Sequence, residues 1–301
     1  MNIVLNAIDK SRSFRVYLVI STEMVEEARK IHGTSPLATA ALGRTLTGAG
    51  IMGLLLKNPE DKLTVSFKGE GPAKQILATA NAKGEVKGYI ANPYVELPLN
   101  EKGKLDVGGA LGLGQLTVIK DLGLKEPYVG TIDLVSGEIA EDLTAYYYIS
   151  EQQNTSIALG VKIDKDLSVK CAGGMFIQML PDFEEGAVDE LERLIADMKP
   201  ITTSIEEVMG EADEYKQVEA LLKNIFEDID EKYSLDILDT SEISWKCGCS
   251  KEGMAKALMT IGKKDLTEIY EEDGQAELTC QFCESSYVFS KDELKEMLDR
   301  M

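Results

Sequence analysis

Four of the chain's five cysteines are concentrated in one short stretch: Cys247-Gly248-Cys249, then 30 residues, then Cys280-Gln281-Phe282-Cys283. No other feature restricts the fold so tightly. The 56 residues of 246–301 form a tail below the size at which an apolar core alone is dependable, so a staple is expected there. Four thiolates satisfy a tetrahedral zinc ion; Zn–S bonds of about 2.3 Å place neighbouring sulfurs roughly 3.8 Å apart. The C-x-x-C half has ordinary zinc-ribbon spacing. The C-x-C half is tighter, and Gly248 is expected to supply the backbone freedom of its turn.

A closed four-cysteine set is most often structural, because catalytic zinc keeps one position open for water. The single histidine, His32, is remote in sequence and is not assumed to join. Two considerations point toward a switch instead. Within each half the sulfurs are close enough to join as a disulfide once the metal has gone, and an i,i+2 bridge is strained and readily reduced again. Structural zinc supplies about 10–16 kcal/mol, comparable with the roughly 5–15 kcal/mol that holds a domain folded. Oxidation of these thiolates is therefore expected to unfold the tail. Cys171, in SVKCAGGMF, reads as a buried core cysteine at a strand end against a glycine turn, with a secondary redox sensor as the other reading.

Charge divides the chain. Residues 1–180 hold 19 basic and 20 acidic side chains, whereas 181–245 hold 5 and 20, within a net charge of -20. The change near Pro181 sets the first expected boundary, giving a 1–180 core domain, a 181–245 acidic linker and a 246–301 zinc-binding domain. An acidic balance argues against nucleic acid and anionic membrane as partners, since phosphate contacts need Lys and Arg. The opening MNIVLNAIDKSRSFRVYLVIS has no basic region before an apolar run, so the expected location is cytoplasmic. The stretch 37–56, LATAALGRTLTGAGIMGLLL, has nearly the length of a membrane span. Arg44 near its middle favours a buried helix, apolar on all sides, instead.

Alternation at 3–8 and 14–20 around DKSRS predicts a β-hairpin. Met24, Val25, Ala28 and Ile31 predict a helix capped at Ser21 or Thr22, and Ser35-Pro36 opens a second. Strands are expected at 62–68, 75–80, 85–91, 115–120, 128–135, 157–163 and 167–171, giving an α+β domain with mainly antiparallel sheet. From residue 182 only helices are expected. Val188, Leu191, Leu194, Ile195 and Met198 form one apolar stripe, and Val218, Leu221, Leu222, Ile225, Phe226 and Ile229 a second. These acidic helices lack a core of their own, so their stability must come from docking on something else. Their stripes read as docking faces, with client-binding surface as the alternative.

The sequence resembles the redox-regulated heat-shock chaperones, the 33 kDa chaperonin family. HGTSPLATAALGRTLTGAGIMG, LTVIKDLGLKEPYVGTIDLVSGEIAED and IGKKDLTEIYEEDGQAELTCQFC carry the likeness together with the cysteine spacing, and it covers the whole chain. The resemblance implies a non-enzymatic, ATP-independent holdase that binds unfolding proteins under oxidative stress. It implies one zinc per chain on Cys247, Cys249, Cys280 and Cys283 in an inactive reduced state. Oxidation in that family pairs Cys247 with Cys249 and Cys280 with Cys283, zinc leaves, the linker unfolds, and active members are homodimers. Consistent with this, the chain has no G-x-x-x-x-G-K-[ST] phosphate loop, and GGALGLGQL precedes a strand rather than opening a helix.

Two other readings compete. One is a structural zinc-ribbon adaptor without a redox switch. The other is a thiol–disulfide oxidoreductase using Cys280 and Cys283, which needs a C-x-x-C at a helix start; the flanking AELTC and CESSYVFS look like a hairpin instead.

Overall fold

The structure is a computed structural model that describes residues 2–211 and 213–301; Met1 and Ala212 lie outside the described residues. The chain divides into two compact units, the first ending at Trp245 and the second running Lys246–Met301. The expected hairpin is present as β1 (Asn2–Asp9) and β2 (Phe14–Ile20), paired from Val4↔Val19 to Ile8↔Arg15. Asp9 builds its turn: the buried carboxylate accepts the Phe14 amide at 2.7 Å and the Ser11 amide at 2.9 Å.

Helix α1 (Thr22–His32) starts where expected, with Ser21 at the N-cap position, but the Ser21 hydroxyl bonds Thr47 Oγ1 at 2.7 Å rather than the helix backbone. Helix α2 (Pro36–Leu54) is capped by Ser35, whose Oγ accepts the Ala38 amide at 3.2 Å. It is the buried, all-round apolar helix. Thr45 and Thr47 donate their hydroxyls to Ala41 O and Gly43 O, so these two buried hydroxyls stay satisfied. Arg44 Nη1 pairs with Glu138 at 2.6 Å. Among the described residues no helix is long and apolar enough to cross a membrane.

The remaining strands follow the expected order: β3 (Lys62–Gly69), β4 (Gln75–Asn81), β5 (Glu85–Ile90), β6 (Gly114–Asp121), β7 (Tyr128–Asp133), β8 (Thr155–Ile163) and β9 (Val169–Met179). A short α3 (Val107–Leu111) and α4 (Ala140–Ser150) interrupt them. Strand β9 is longer than its sequence suggests. Gly173 and Gly174 read as a turn, yet both lie within the strand, where a Cβ on Gly173 would stand 2.3 Å from Val19 O. Close approach, of the Val19 carbonyl to Gly173 and of the Leu159 side chain to Gly174, is what these glycines serve, not a turn.

Residues 181–245 hold three helices, α5 (Glu185–Asp197), α6 (Ile201–Val208) and α7 (Glu214–Ile225), and differ from the helix-only expectation at their end. Leu235–Trp245 is a strand, β10, because its backbone completes the outer edge of β1 from Asn2↔Ile243 to Asp9↔Leu235. That partner is more than 200 residues away, and such non-local pairing overrides a weak, acidic local pattern. The resulting ten-stranded sheet has the order β7-β6-β3-β4-β5-β10-β1-β2-β9-β8. All its pairings are antiparallel except β5–β10, which is limited to Ser244↔Glu85 and Trp245↔Val86. The architecture is α+β with mainly antiparallel sheet.

One core gathers α1, α2 and α4 with the sheet residues Val4, Val65, Phe67, Val118 and Phe176. A second gathers Leu5, Phe14, Val16, Leu18 and Met175 with Leu191 and Leu194 of α5, Ile205 of α6, and Val218, Leu221 and Leu222 of α7. Both apolar stripes read from the sequence are thus spent on docking.

Candidate metal centre

The second unit is small. Helices α8 (Lys251–Met259) and α9 (Lys263–Glu272), the hairpin β11 (Gln275–Thr279)–β12 (Ser286–Ser290) and α10 (Lys291–Arg300) surround a core whose buried members are Leu258, Leu266, Phe289, Leu294 and Met297. Local chemistry explains the elements. Ser250 caps α8 by accepting the Gly253 amide at 3.1 Å, and Ser290 with Glu293 forms a capping box on α10. Five buried side chains make a thin core for 56 residues, which leaves a second source of order to be found.

That source lies at one end of the hairpin. Cys280 and Cys283 sit in the turn that joins β11 to β12, closed by Cys280 N to Ser285 O at 2.9 Å and Glu284 N to Cys280 O at 2.9 Å. Cys247 and Cys249 precede the α8 cap. The two halves meet: Cys247 Sγ is 3.7 Å from Cys280 Sγ, Cys249 Sγ is 3.3 Å from Cys283 Sγ, and all four sulfurs lie within 4.8 Å of one another. Tetrahedral zinc–thiolate bonding calls for sulfurs roughly 3.8 Å apart. Four soft donors at this separation fit zinc, and the set is the only metal-sized cluster of His, Cys, Asp or Glu among the described residues.

The hairpin setting answers the oxidoreductase reading, since Cys280 and Cys283 do not open a helix. The role expected of Gly248 needs correcting: its φ is not positive and a Cβ there would meet nothing within 4 Å, so the C-x-C turn does not require glycine. The left-handed residue of the site is instead Glu284, at φ 57. His32 belongs to the first unit, with Nε2 3.0 Å from Gly88 O and its ring edge-on to Trp245.

The sequence reading missed two hydroxyls. Tyr287 Oη lies 3.1 Å from Cys249 Sγ, and Ser285 Oγ lies 3.3 Å from Cys283 Sγ. Their signal was faint: both sit just beyond the C-x-x-C, at positions where only a folded hairpin brings them back to sulfur. Burial pushes the Cys247 thiol up to about 12, reinforced by its sulfur neighbours. Burial also raises Cys283, but hydrogen bonds from the Ser285 side chain and backbone, together with Cys249 and Cys247, outweigh it and bring that thiol down to about 6. One sulfur in the cluster ionises readily while another resists, as expected when neighbouring groups compete to hold negative charge in one small space.

The family profile described as Hsp33 protein matches residues 2–290. The chain belongs to the Hsp33 family. The 33 kDa chaperonin of Clostridium botulinum (strain Alaska E43 / Type E3) is 47% identical over 296 residues, covering 98% of this chain and 97% of that protein. The 33 kDa chaperonin of Clostridioides difficile (strain 630) is 47% identical over 299 residues, covering 99% of each. Among solved structures, the crystal structure of the 33 kDa chaperonin of Thermotoga maritima, titled a heat shock protein 33 homolog, superposes with a TM-score of 0.86 at 38% identity, covering 99% of this chain and 98% of that one. The family resemblance read from three sequence segments and the cysteine spacing therefore holds over the full chain, and the Hsp33 family is a chaperone family.

Within this Hsp33 chain the fifth cysteine stands apart. Cys171, on β9, is fully buried in the second core with its thiol 3.4 Å from Thr202 O at the start of α6. Burial pushes it up to about 11, with Glu206 adding to the effect. It is a core cysteine in this state, covered by a helix of the acidic segment.

Proposed function

We propose that this protein is a redox-switched, ATP-independent holdase that binds unfolding proteins under oxidative stress. The observation that supports it most is the meeting of four sulfurs within 4.8 Å in a unit with only five buried apolar side chains. Cys247, Cys249, Cys280 and Cys283 would together hold one zinc in the reduced chain. When bound, zinc supplies a divalent charge that keeps four thiolates ionised side by side and cross-links the two halves of the motif. Tyr287 and Ser285 orient two of the sulfurs.

Oxidation removes the ligands. Two thiolates of a pair yield two electrons to peroxide, an S–S bond forms between them, the O–O bond breaks, and the two peroxide oxygens leave as two waters after taking up two protons from solvent. The proposed pairs are Cys247–Cys249 and Cys280–Cys283. A disulfide sulfur is a poor zinc ligand, so the unit loses its staple and the acidic 181–245 segment loses the ordered neighbour that follows it. Undocking of α5–α7 would uncover Leu5, Phe14, Val16, Leu18 and Met175, an apolar sheet face suited to unfolding chains. The active form is a cytoplasmic homodimer on this reading, and the net charge of -20 suits protein clients better than nucleic acid or anionic lipid.

Light scattering of a thermally unfolding client tests the switch. Peroxide-treated protein is expected to suppress aggregation and reduced, zinc-loaded protein is not. Equal protection by both, or retention of zinc under peroxide, would return the chain to a structural adaptor. Peptide mapping separates the proposed pairing from bridges across the halves, Cys247–Cys280 and Cys249–Cys283.

A further inference from the structure

Strand β10 lies inside the order of the sheet yet is bound like an outsider. From Asp236 to Glu242 its residues are exposed, and only Ile243 and Trp245 are buried. Asp236, Asp239 and Glu242 place three carboxylates along it. Its pairing with β1 is broken by a bulge between Asn6 and Ala7, which leaves Leu238 without a counterpart. Its other edge touches β5 at Ser244 and Trp245 alone. Asn6 Nδ2 reaches Asp239 at 3.0 Å, but Asn6 Oδ1 is buried with no hydrogen-bond partner, so the occupant fits β1 incompletely.

Strand β1 is the opposite kind of strand. Val4 enters one core, Leu5 and Ala7 enter the other, and all three are buried. Facing them, β10 offers Ser241 to Val4, Thr240 to Leu5 and Ile237 to Ala7. From Asp236 to Glu242 the partner on the outer edge of this core strand thus supplies backbone hydrogen bonds and very little apolar contact, and only its end, at Ile243 and Trp245, is anchored in the core. In sequence, Cys247 follows Trp245 after the single residue Lys246, so β10 is covalently continuous with the cysteine motif.

We propose that the outer edge of β1 is a strand-addition site for an extended, apolar segment of an unfolding polypeptide, with β10 its resident occupant. Backbone pairing needs no particular sequence, which suits a site for partners that share none, and alternate side chains supply the selectivity. A segment carrying Val, Ile or Phe where β10 carries Asp239, Ser241 and Glu242 makes more favourable cross-strand pairs than the resident. The carboxylates of β10 keep the released strand from pairing elsewhere, the usual use of charge on a strand that must not aggregate. This inference rests on the holdase reading above and names where and how the client is held.

The test uses the full chain carrying a photoreactive side chain at Asn6, with a second version at Thr131 on the distal edge strand β7 as control. A denatured reporter protein is the client. After peroxide, the group at position 6 is expected to transfer from β10 to the client while the one at 131 captures none; reduced protein captures none at either position. A second variant needs no photochemistry. The pair of substitutions Asp236→Thr and Glu242→Val strengthens β10 in place and is expected to slow client capture about threefold with zinc release unchanged. If the oxidised chain suppresses aggregation but position 6 still reports β10, or the strengthened strand captures client as fast as the parent, strand addition at β1 is wrong and the holdase reading stands. If the oxidised chain holds no client at all, both fall.

Discussion

The two units of this chain are ordered by different means. The first buries both faces of β1, β2 and β9 within a ten-stranded sheet, with Phe14, Phe67, Phe176 and Tyr146 among its fully enclosed side chains. The second encloses a single aromatic side chain to that degree, Phe289, and closes its hairpin with four sulfurs. A core of the first kind responds to temperature and denaturant, whereas one of the second kind responds to whatever removes electrons or metal. A chain built from both can lose one unit and keep the other, which is the physical requirement for a switch.

Chelation should produce the largest contrast. Stripping the metal from reduced protein is expected to abolish amide-exchange protection across 246–301, a loss on the order of the 10–16 kcal/mol that structural zinc supplies. Protection in β2, β4 and α2 should stay as it was. Intact protection in β11 and β12 after chelation would mean that the five-residue core suffices. Next in size is Phe14→Ala, which hollows the second core of the first unit and should cost about 3–5 kcal/mol in urea unfolding. Its zinc release under peroxide should match that of the parent. A parallel change in zinc release would show that the two units do not respond separately.

Tyr287→Phe removes the hydroxyl 3.1 Å from Cys249 Sγ and should weaken zinc binding about 10–100-fold, read with a competing chromophoric chelator. The smallest effect is a pH dependence confined to the first unit. The Arg29 guanidinium, 2.7 Å away, holds Glu26 down to about 2 against the opposing effect of burial, with the Val169 amide helping. The folded carboxyl therefore ionises below its unfolded value of 4.5, so its contribution is complete above that pH and drains away as pH falls toward about 2. After allowance for solvent screening the contribution is about 1 kcal/mol, and Glu26→Gln should flatten the urea midpoint across that window.

Much of the first unit was legible because its signals are local. Alternation marked the β1–β2 hairpin, Ser35-Pro36 marked the start of α2, and Arg44 separated a buried helix from a membrane span. For the same reason the cysteine spacing marked the four sulfurs that the fold brings together. What escaped depends on distant partners. Strand β10 carries three acids and little periodicity, and only the outer edge of β1 makes it a strand. Gly173 and Gly174 looked like a turn because crowding by Val19 O and by the Leu159 side chain leaves no trace in the local sequence. Gly248 looked necessary because a short spacing suggests a tight turn, yet the backbone passes through it without a positive φ. Ser285 and Tyr287 were missed because a hydroxyl beside sulfur is a product of the folded hairpin.

The ten strands form one continuous sheet only by virtue of Ser244 and Trp245 against Glu85 and Val86. Mechanically this is a seam two residues long, placed at the end of β10 nearest the cysteines. Tension entering the chain at Cys247 would reach that seam before most of the longer β1–β10 pairing. Force, no less than oxidant, would then have a defined point of entry into the fold.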